Sequence, residues 1–140
     1  MADFVTDIEK ATIDNEFFRK VLFTAPNSQL VVMSLKPSEE IGMEVHPHLD
    51  QFIRIEKGEG KVIMDGVETK FKDDWAMVIP AGTNHNIINT SRTAPLKLYT
   101  VYSPPNHPQN TIHKTKAEAD AAEHAEHAEH AKPAAAPKRR

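Results

Sequence analysis

The chain has 140 residues, of which 17 are Lys or Arg and 20 are Asp or Glu, and it contains no cysteine. The length suits one compact domain, and the lack of cysteine excludes disulfides, thiolate nucleophiles and iron–sulfur clusters. The net charge of −3 gives no reason to expect a nucleic acid partner. No stretch approaches the roughly 18 apolar residues of a membrane span, and no secretory signal is visible. We therefore expect a cytoplasmic protein without a membrane partner.

Short apolar runs follow one another along the chain as far as Tyr102. Val, Ile, Phe and Tyr are frequent in these runs, and turn residues separate them roughly every eight to twelve positions, which predicts an all-β sandwich or barrel. A helical turn is expected before this point only around Asp14–Phe18. The predicted strands are Arg19–Thr24, Gln29–Leu35, Gln51–Glu56, Lys61–Met64, Val67–Phe71, Ala76–Ile79, Asn86–Asn89 and Leu96–Tyr102.

The composition changes near Thr115, where Ala, Glu and His become dominant. We divide the chain into a folded body, residues 1–116, and a low-complexity tail, residues 117–140. Thr115 and Glu118 have the spacing of a capping box, and Ala and Glu favour helix, so a helix is predicted from Thr115 to Ala131. It carries no large apolar residue with which to dock, and we expect it to be marginal alone and functionally silent. The last residues, beyond Pro133, are expected to be disordered.

Three histidines in the body have the placement of metal ligands. His46 and His48 precede a strand, where residues two apart face the same side, and His85 follows a tight turn that starts at Pro80. Three neutral imidazoles with one oxygen ligand and open positions form a site for a divalent first-row ion. Mn, Fe, Ni, Co and Zn are the candidate ions.

These residues resemble the two sequence motifs of the cupin superfamily. The second motif of that family, Gly-x5-Pro-x-Gly-x2-His-x3-Asn, is matched by Pro80, Gly82, His85 and Asn89, with Asp74 in place of the leading glycine. The resemblance covers about residues 28–103 and extends to small single-domain bacterial cupins of unsettled activity. It implies a jelly-roll barrel, also called a double-stranded β-helix, followed here by a partly helical tail.

The first motif of the family, Gly-x5-His-x-His-x3–4-Glu-x6-Gly, is matched less well, and the oxygen ligand is left open. Gln51 stands where the family has its glutamate, seven positions before Gly58, but the gap from His48 is shorter than usual. A straight strand would place Asp50 beside the histidines, whereas a bulge or turn would place Gln51 there. The family register favours Gln51, whose neutral amide would leave the ion its full +2 charge. The predicted metal ligands are therefore His46, His48, Gln51 and His85.

The resemblance implies a metal-dependent enzyme, of isomerase or dioxygenase type, acting on a small oxygen-rich substrate such as a sugar or a hydroxy or keto acid. The alternative is a non-catalytic cupin that binds a sugar or small acid as a sensor or storage protein, because no general acid or base is identifiable near the motifs. Similar proteins are commonly homodimers, and an open jelly roll has strand edges to cover, so a homodimer is expected.

Tyr102 and His107 are expected to have structural and not functional roles. Tyr102 lies on the last long strand and is expected on the sheet surface or at an interface. His107 lies in the proline-rich segment 103–113, which is expected to cross the barrel as a strap with its histidines in solvent.

Overall fold

A computed structural model describes residues 3–131 of the chain and the side chains of residues 3–124. Nine strands and two helices follow one another in this part of the chain. The strands are β1 (Arg19–Thr24), β2 (Gln29–Leu35), β3 (Asp50–Lys57), β4 (Gly60–Met64), β5 (Val67–Phe71), β6 (Ala76–Ile79), β7 (His85–Asn89), β8 (Leu96–Ser103) and β9 (Ile112–His113), and the helices are α1 (Ile8–Asp14) and α2 (Lys116–Ala131).

The strands form two antiparallel sheets that enclose one apolar core. The six-stranded sheet has the order β6-β3-β8-β2-β1-β9, and the three-stranded sheet has the order β5-β4-β7. Alternation along the strands sends every second side chain into the core. Val31, Met33, Ile53 and Leu98 of the larger sheet and Val62 and Ile87 of the smaller one belong to a single buried cluster. The prediction of an all-β jelly roll is confirmed.

Strand β3 carries Gln51, one of the predicted ligands, into the interior of the barrel. Gln51, Ile53 and Ile55 are buried, whereas Asp50 at the start of the strand is exposed. Since side chains alternate along a strand, Gln51 shares the inward face with the two isoleucines. The strand therefore directs the amide, not the adjacent carboxylate, to the interior.

The main differences from the predicted elements lie near the two ends of the body. Helix α1 begins and ends earlier than the expected turn at Asp14–Phe18, because Asp7 caps it by accepting a hydrogen bond from the Lys10 N–H at 3.1 Å. The two-residue strand β9 pairs with β1 and was not predicted. A strand of two residues is too short to produce an apolar alternation.

The tail begins as predicted and docks through a small residue. Thr115 Oγ1 accepts a hydrogen bond from the Glu118 N–H at 3.1 Å, which caps α2. Ala119 is buried within the core cluster, so one methyl group supplies a contact that the sequence analysis did not expect. The expected disorder beyond Pro133 falls outside the described residues. No helix within residues 3–131 combines the length and the apolar character needed to cross a membrane.

Candidate metal centre

A pair of backbone hydrogen bonds places Glu44 beside His85. The N–H of each residue donates to the carbonyl of the other, both at 2.9 Å, in an isolated antiparallel bridge. Residues directly opposite each other in such a pair carry their side chains on the same side. Glu44 Oε2 accordingly lies 3.8 Å from His85 Nε2.

His46 completes a compact group of three possible ligands. Its Nε2 lies 3.6 Å from Glu44 Oε2, which is longer than a hydrogen bond. The imidazole rings of His46 and His85 have their centroids 5.4 Å apart. One ligand atom from each of Glu44, His46 and His85 lies within 4.8 Å of the other two. This spacing allows the three atoms to share one cation.

The turn before β7 fixes which nitrogen of His85 faces this group. His85 Nδ1 lies 2.9 Å from the Thr83 carbonyl oxygen. Because a carbonyl can only accept, Nδ1 carries the hydrogen, and Nε2 of the neutral ring has a free lone pair. Nε2 is buried and has no hydrogen-bond partner among the described residues. It therefore has the state and the surroundings of a metal ligand.

The same turn is held against the first motif by two hydrogen bonds. Gly82 has a φ of 86°, a left-handed conformation that favours glycine, and its N–H donates to the His46 carbonyl at 2.9 Å. Asp50 Oδ1 accepts from the Ala81 N–H at 2.9 Å. These contacts bring the segments carrying His46 and His85 together, and they give Asp50 a structural partner outside the group.

Gln51 presents an unpartnered oxygen in the interior. Its side chain is buried, and its Nε2 donates to Thr100 Oγ1 at 3.1 Å. Its Oε1 is buried without a partner in the described structure, as are the Nε2 atoms of His46 and His85. A buried polar atom left without a partner costs about 1–3 kcal/mol. A cation bound beside Glu44 would satisfy the two imidazole nitrogens.

Glu44 supplies a negative charge to the group. Burial alone would raise the pKa of its carboxyl, but the contact with His46 and electrostatic interactions with His46, His85 and Arg19 outweigh burial. The pKa of Glu44 is therefore held below its ordinary value, and the carboxylate is ionised at neutral pH.

The structure brings together two of the four predicted ligands, His46 and His85, and places Gln51 on the buried face of β3. Gln51 pairs across the sheet with Tyr102, whose ring lies 5.9 Å from that of His46. His48 is exposed and lies outside the group, because the chain turns at Pro47 and His48 and the alternation of a strand does not apply there. Of the two candidate oxygen ligands, the structure places Gln51 on the inward face of β3 and Asp50 on the outside.

Glu44 was missed by the sequence analysis, although the spacing of the first motif contained a signal. With Glu44 in the place of the first motif histidine, the order Glu44-x-His46-x4-Gln51-x6-Gly58 reproduces the family spacing without a shortened gap. The leading glycine of that motif then falls on Ser38, whose φ is 66°. Asp74, at the corresponding place in the second motif, has a φ of 73°. Both positions thus keep the backbone conformation that favours glycine.

Tyr102 and His107 form a wall beside the group. Tyr102 is buried, so the expectation that it lies on the sheet surface is wrong, and burial raises the pKa of its phenol to about 12. His107 Nε2 lies 3.4 Å from the Tyr102 hydroxyl, and burial lowers the pKa of His107 to about 3. The expectation of a solvated ring at His107 is therefore also wrong, and both side chains are neutral near pH 7.

Comparisons with known proteins agree with this architecture. The family model described as "Cupin domain" matches residues 31–102. The uncharacterised protein YrkC of Bacillus subtilis (strain 168) is 51% identical over 126 residues, which cover 86% of this chain and 67% of that protein. The uncharacterised protein L612 of Acanthamoeba polyphaga mimivirus is 47% identical over 113 residues, 78% of this chain and 70% of that protein. The crystal structure of BH2720 from Bacillus halodurans has a TM-score of 0.84 and 47% identity, and the match covers 86% of this chain and 95% of that one.

Proposed function

Because the chain belongs to the cupin family, we propose that it is a metal-dependent enzyme acting on a small oxygen-rich substrate. A divalent first-row ion is held in this proposal by Glu44, His46, His85 and Gln51. The observation that carries it is the set of buried, unpartnered atoms on His46, His85 and Gln51, with a carboxylate oxygen close to both imidazoles. Buried polar atoms of folded proteins rarely lack a partner, so these atoms, beside the Glu44 carboxylate, support cation binding.

The ligand atoms limit which metal ions and which reactions fit the proposed site. Two imidazole nitrogens and one carboxylate, with positions left open, are typical of non-haem Fe(II) oxygenases, and the same atoms also suit Mn, Co, Ni and Zn. Such an ion, when bound, supplies either O₂ activation or polarisation of a substrate carbonyl. Glu44 brings one negative charge into the site, so the formal charge of the loaded centre is +1 and not the +2 expected from three histidines and an amide.

Residues around the group orient the ligands and substrate. The Thr83 carbonyl holds the His85 ring in one tautomer, and Thr100 orients the Gln51 amide by accepting from its Nε2. Tyr102 remains a protonated phenol at neutral pH, since burial raises its pKa to about 12. Its hydroxyl can therefore donate a hydrogen bond to a substrate oxygen that gains negative charge.

Metal analysis of the chain purified without an affinity tag tests the proposal. We expect about one ion per chain in the wild type, and at least a roughly tenfold loss after His46→Ala or His85→Ala, since each removes one ligand. His48→Ala is the matched control, because His48 is exposed and lies outside the group. The measurement is repeated with His124, His127 and His130 replaced by Gln, so that tail histidines do not contribute.

Two outcomes would change the proposal. Metal content that is unaffected by both His46→Ala and His85→Ala would refute the proposed centre. Metal loss in these variants, together with no turnover of sugars, hydroxy acids or keto acids by the loaded wild type, would favour the non-catalytic binding protein.

A further inference from the structure

Arg19 is a buried cation without an acidic partner. Its side chain projects from β1 into the interior, the residue is 7% exposed, and its Nε is buried with no hydrogen-bond partner in the described part of the chain. None of the ion pairs formed by side chains of residues 3–124 involves Arg19. The charge of Arg19 lowers the pKa of Glu44, but the two groups form no ion pair. A buried charge without a direct ionic partner is costly.

The contacts that Arg19 does make leave part of its guanidinium available. One terminal nitrogen donates to His113 Nδ1 at 3.2 Å, and the guanidinium carbon lies 5.3 Å from the centroid of the Phe18 ring. The guanidinium also donates a hydrogen bond to the Tyr102 hydroxyl. These contacts orient the planar group but supply no negative charge. The remaining N–H groups form the fork that binds a carboxylate through two parallel hydrogen bonds.

Arg19 belongs to the same interior region as the candidate metal centre. Its positive charge acts on both Glu44 and Tyr102, and it also acts on His107. The Tyr102 ring in turn packs edge-on against His46 at 5.9 Å between centroids. A small molecule that contacts the metal ligands is therefore within the region that the charge of Arg19 reaches.

We propose that Arg19 binds the carboxylate of the substrate, so that the substrate class is a small hydroxy or keto acid and not a neutral sugar. The choice of a chelating acid rests on the proposed function, whereas recognition of an anion rests on Arg19 itself. The Tyr102 hydroxyl is the second donor beside the carboxylate. The bound anion supplies the direct ionic partner that Arg19 lacks among residues 3–124.

The test compares an acid with its uncharged amide, pyruvate with pyruvamide, at equal ionic strength. Apparent affinities are read from the rise in thermal midpoint with ligand concentration, both for chain stripped of metal and for chain loaded with Co²⁺. We expect the wild type to bind pyruvate at least roughly tenfold more tightly than pyruvamide, because hydrogen bonds to charged groups are worth about 1.5–3 kcal/mol. Arg19→Met keeps a long apolar stem over Phe18 and should remove this preference while the chain still takes up about one Co²⁺ ion.

Arg19→Lys provides a second variant in case Arg19→Met folds poorly, which far-UV circular dichroism would detect. It retains a charge but lacks the fork, so a weaker preference for pyruvate over pyruvamide is expected. Equal binding of pyruvate and pyruvamide by the wild type, or an unchanged preference in a folded Arg19 variant, would overturn the proposal. Failure of the wild type to take up Co²⁺ would refute only the metal centre, because the pyruvate preference is also measured without metal.

Discussion

The two segments that form the candidate metal centre differ in how directly their sequence reports their geometry. In the second motif, one tight turn at Gly82 leads into β7, and a local hydrogen bond from Nδ1 to the Thr83 carbonyl fixes the ring of His85. In the first motif, the chain turns at Pro47 and His48 and re-enters a strand at Asp50. The comparison teaches that strand alternation predicts the direction of a side chain only where the strand is continuous.

The largest expected effect is a difference in metal affinity between variants of Glu44 and Asp50, two carboxylates of the first segment. Glu44→Gln removes the only negative charge of the proposed ligand set, so we expect metal affinity to fall at least about a hundredfold. Asp50→Asn changes a carboxylate that points outward and holds the Ala81 N–H, so its metal affinity should stay near that of the wild type. Competition with a coloured chelator measures both affinities. Equal losses of metal affinity in Glu44→Gln and Asp50→Asn would contradict this placement, in which Glu44 faces the metal and Asp50 does not.

The second motif should depend more on buried backbone partners than on charge. Asn89 Nδ2 donates to the carbonyls of Leu35, Lys36 and Ala94 at 3.2, 3.0 and 3.0 Å. Asn89→Ala leaves these carbonyls without that donor, and we expect the free energy of unfolding to fall by about 2 kcal/mol. Asn84→Ala, at an exposed position of the same motif, should change it by less than about 0.5 kcal/mol. Urea denaturation provides both values.

His107 should make the folded protein sensitive to acid. Its pKa is about 3 in the folded chain against an ordinary value of 6.5, because of burial and the charges of Arg19, His113 and His46. Between these two values the unfolded chain binds more protons, so stability is complete above about pH 6.5 and is lost as the pH falls towards 3. His107→Gln should flatten this part of the profile, whereas His48→Gln should not.

Parallel profiles for the wild type and His107→Gln would contradict this account. Glu44, whose pKa is lowered, also loses stability in acid, but it contributes equally to both chains. The difference between the two denaturation profiles therefore isolates His107.

The smallest effect is expected at the boundary between body and tail. Ending the chain after Thr115 removes α2, whose described contact with the core is the side chain of Ala119. Because the described side chains of α2 contribute only one methyl group to the core, we expect a loss of about 1 kcal/mol or less and no change in metal content. A loss of several kcal/mol, measured by thermal denaturation, would place the tail within the folded body.

The strands could be predicted because their information is local. Runs such as Gln29–Leu35 and Val67–Phe71 are bounded by turn residues, and the structure reproduces these two predicted ranges. Strand β9 could not be predicted, because its two residues acquire strand geometry only by pairing with Arg19 and Lys20. Its formation is a tertiary effect.

The candidate site could be predicted only in part, because some of its residues are placed by contacts between distant parts of the chain. His46, His85 and Gln51 are identifiable from spacing, and the structure directs Gln51 into the barrel. Glu44 acquires its place through the backbone bridge to His85, a contact between residues distant in sequence. Arg19 looks like any polar residue at the start of a strand, and only the folded barrel reveals that it is buried without an acidic partner.

The backbone bridge between Glu44 and His85 connects metal binding to the local opening of the backbone. If Glu44 and His85 held one ion, release of the ion and opening of their backbone hydrogen bonds would be coupled. Deuterium uptake at these two amides should slow on loading with a divalent cation, while uptake at β9 should be indifferent. The metal ion would then exchange at the rate at which the backbone hydrogen bonds between Glu44 and His85 open.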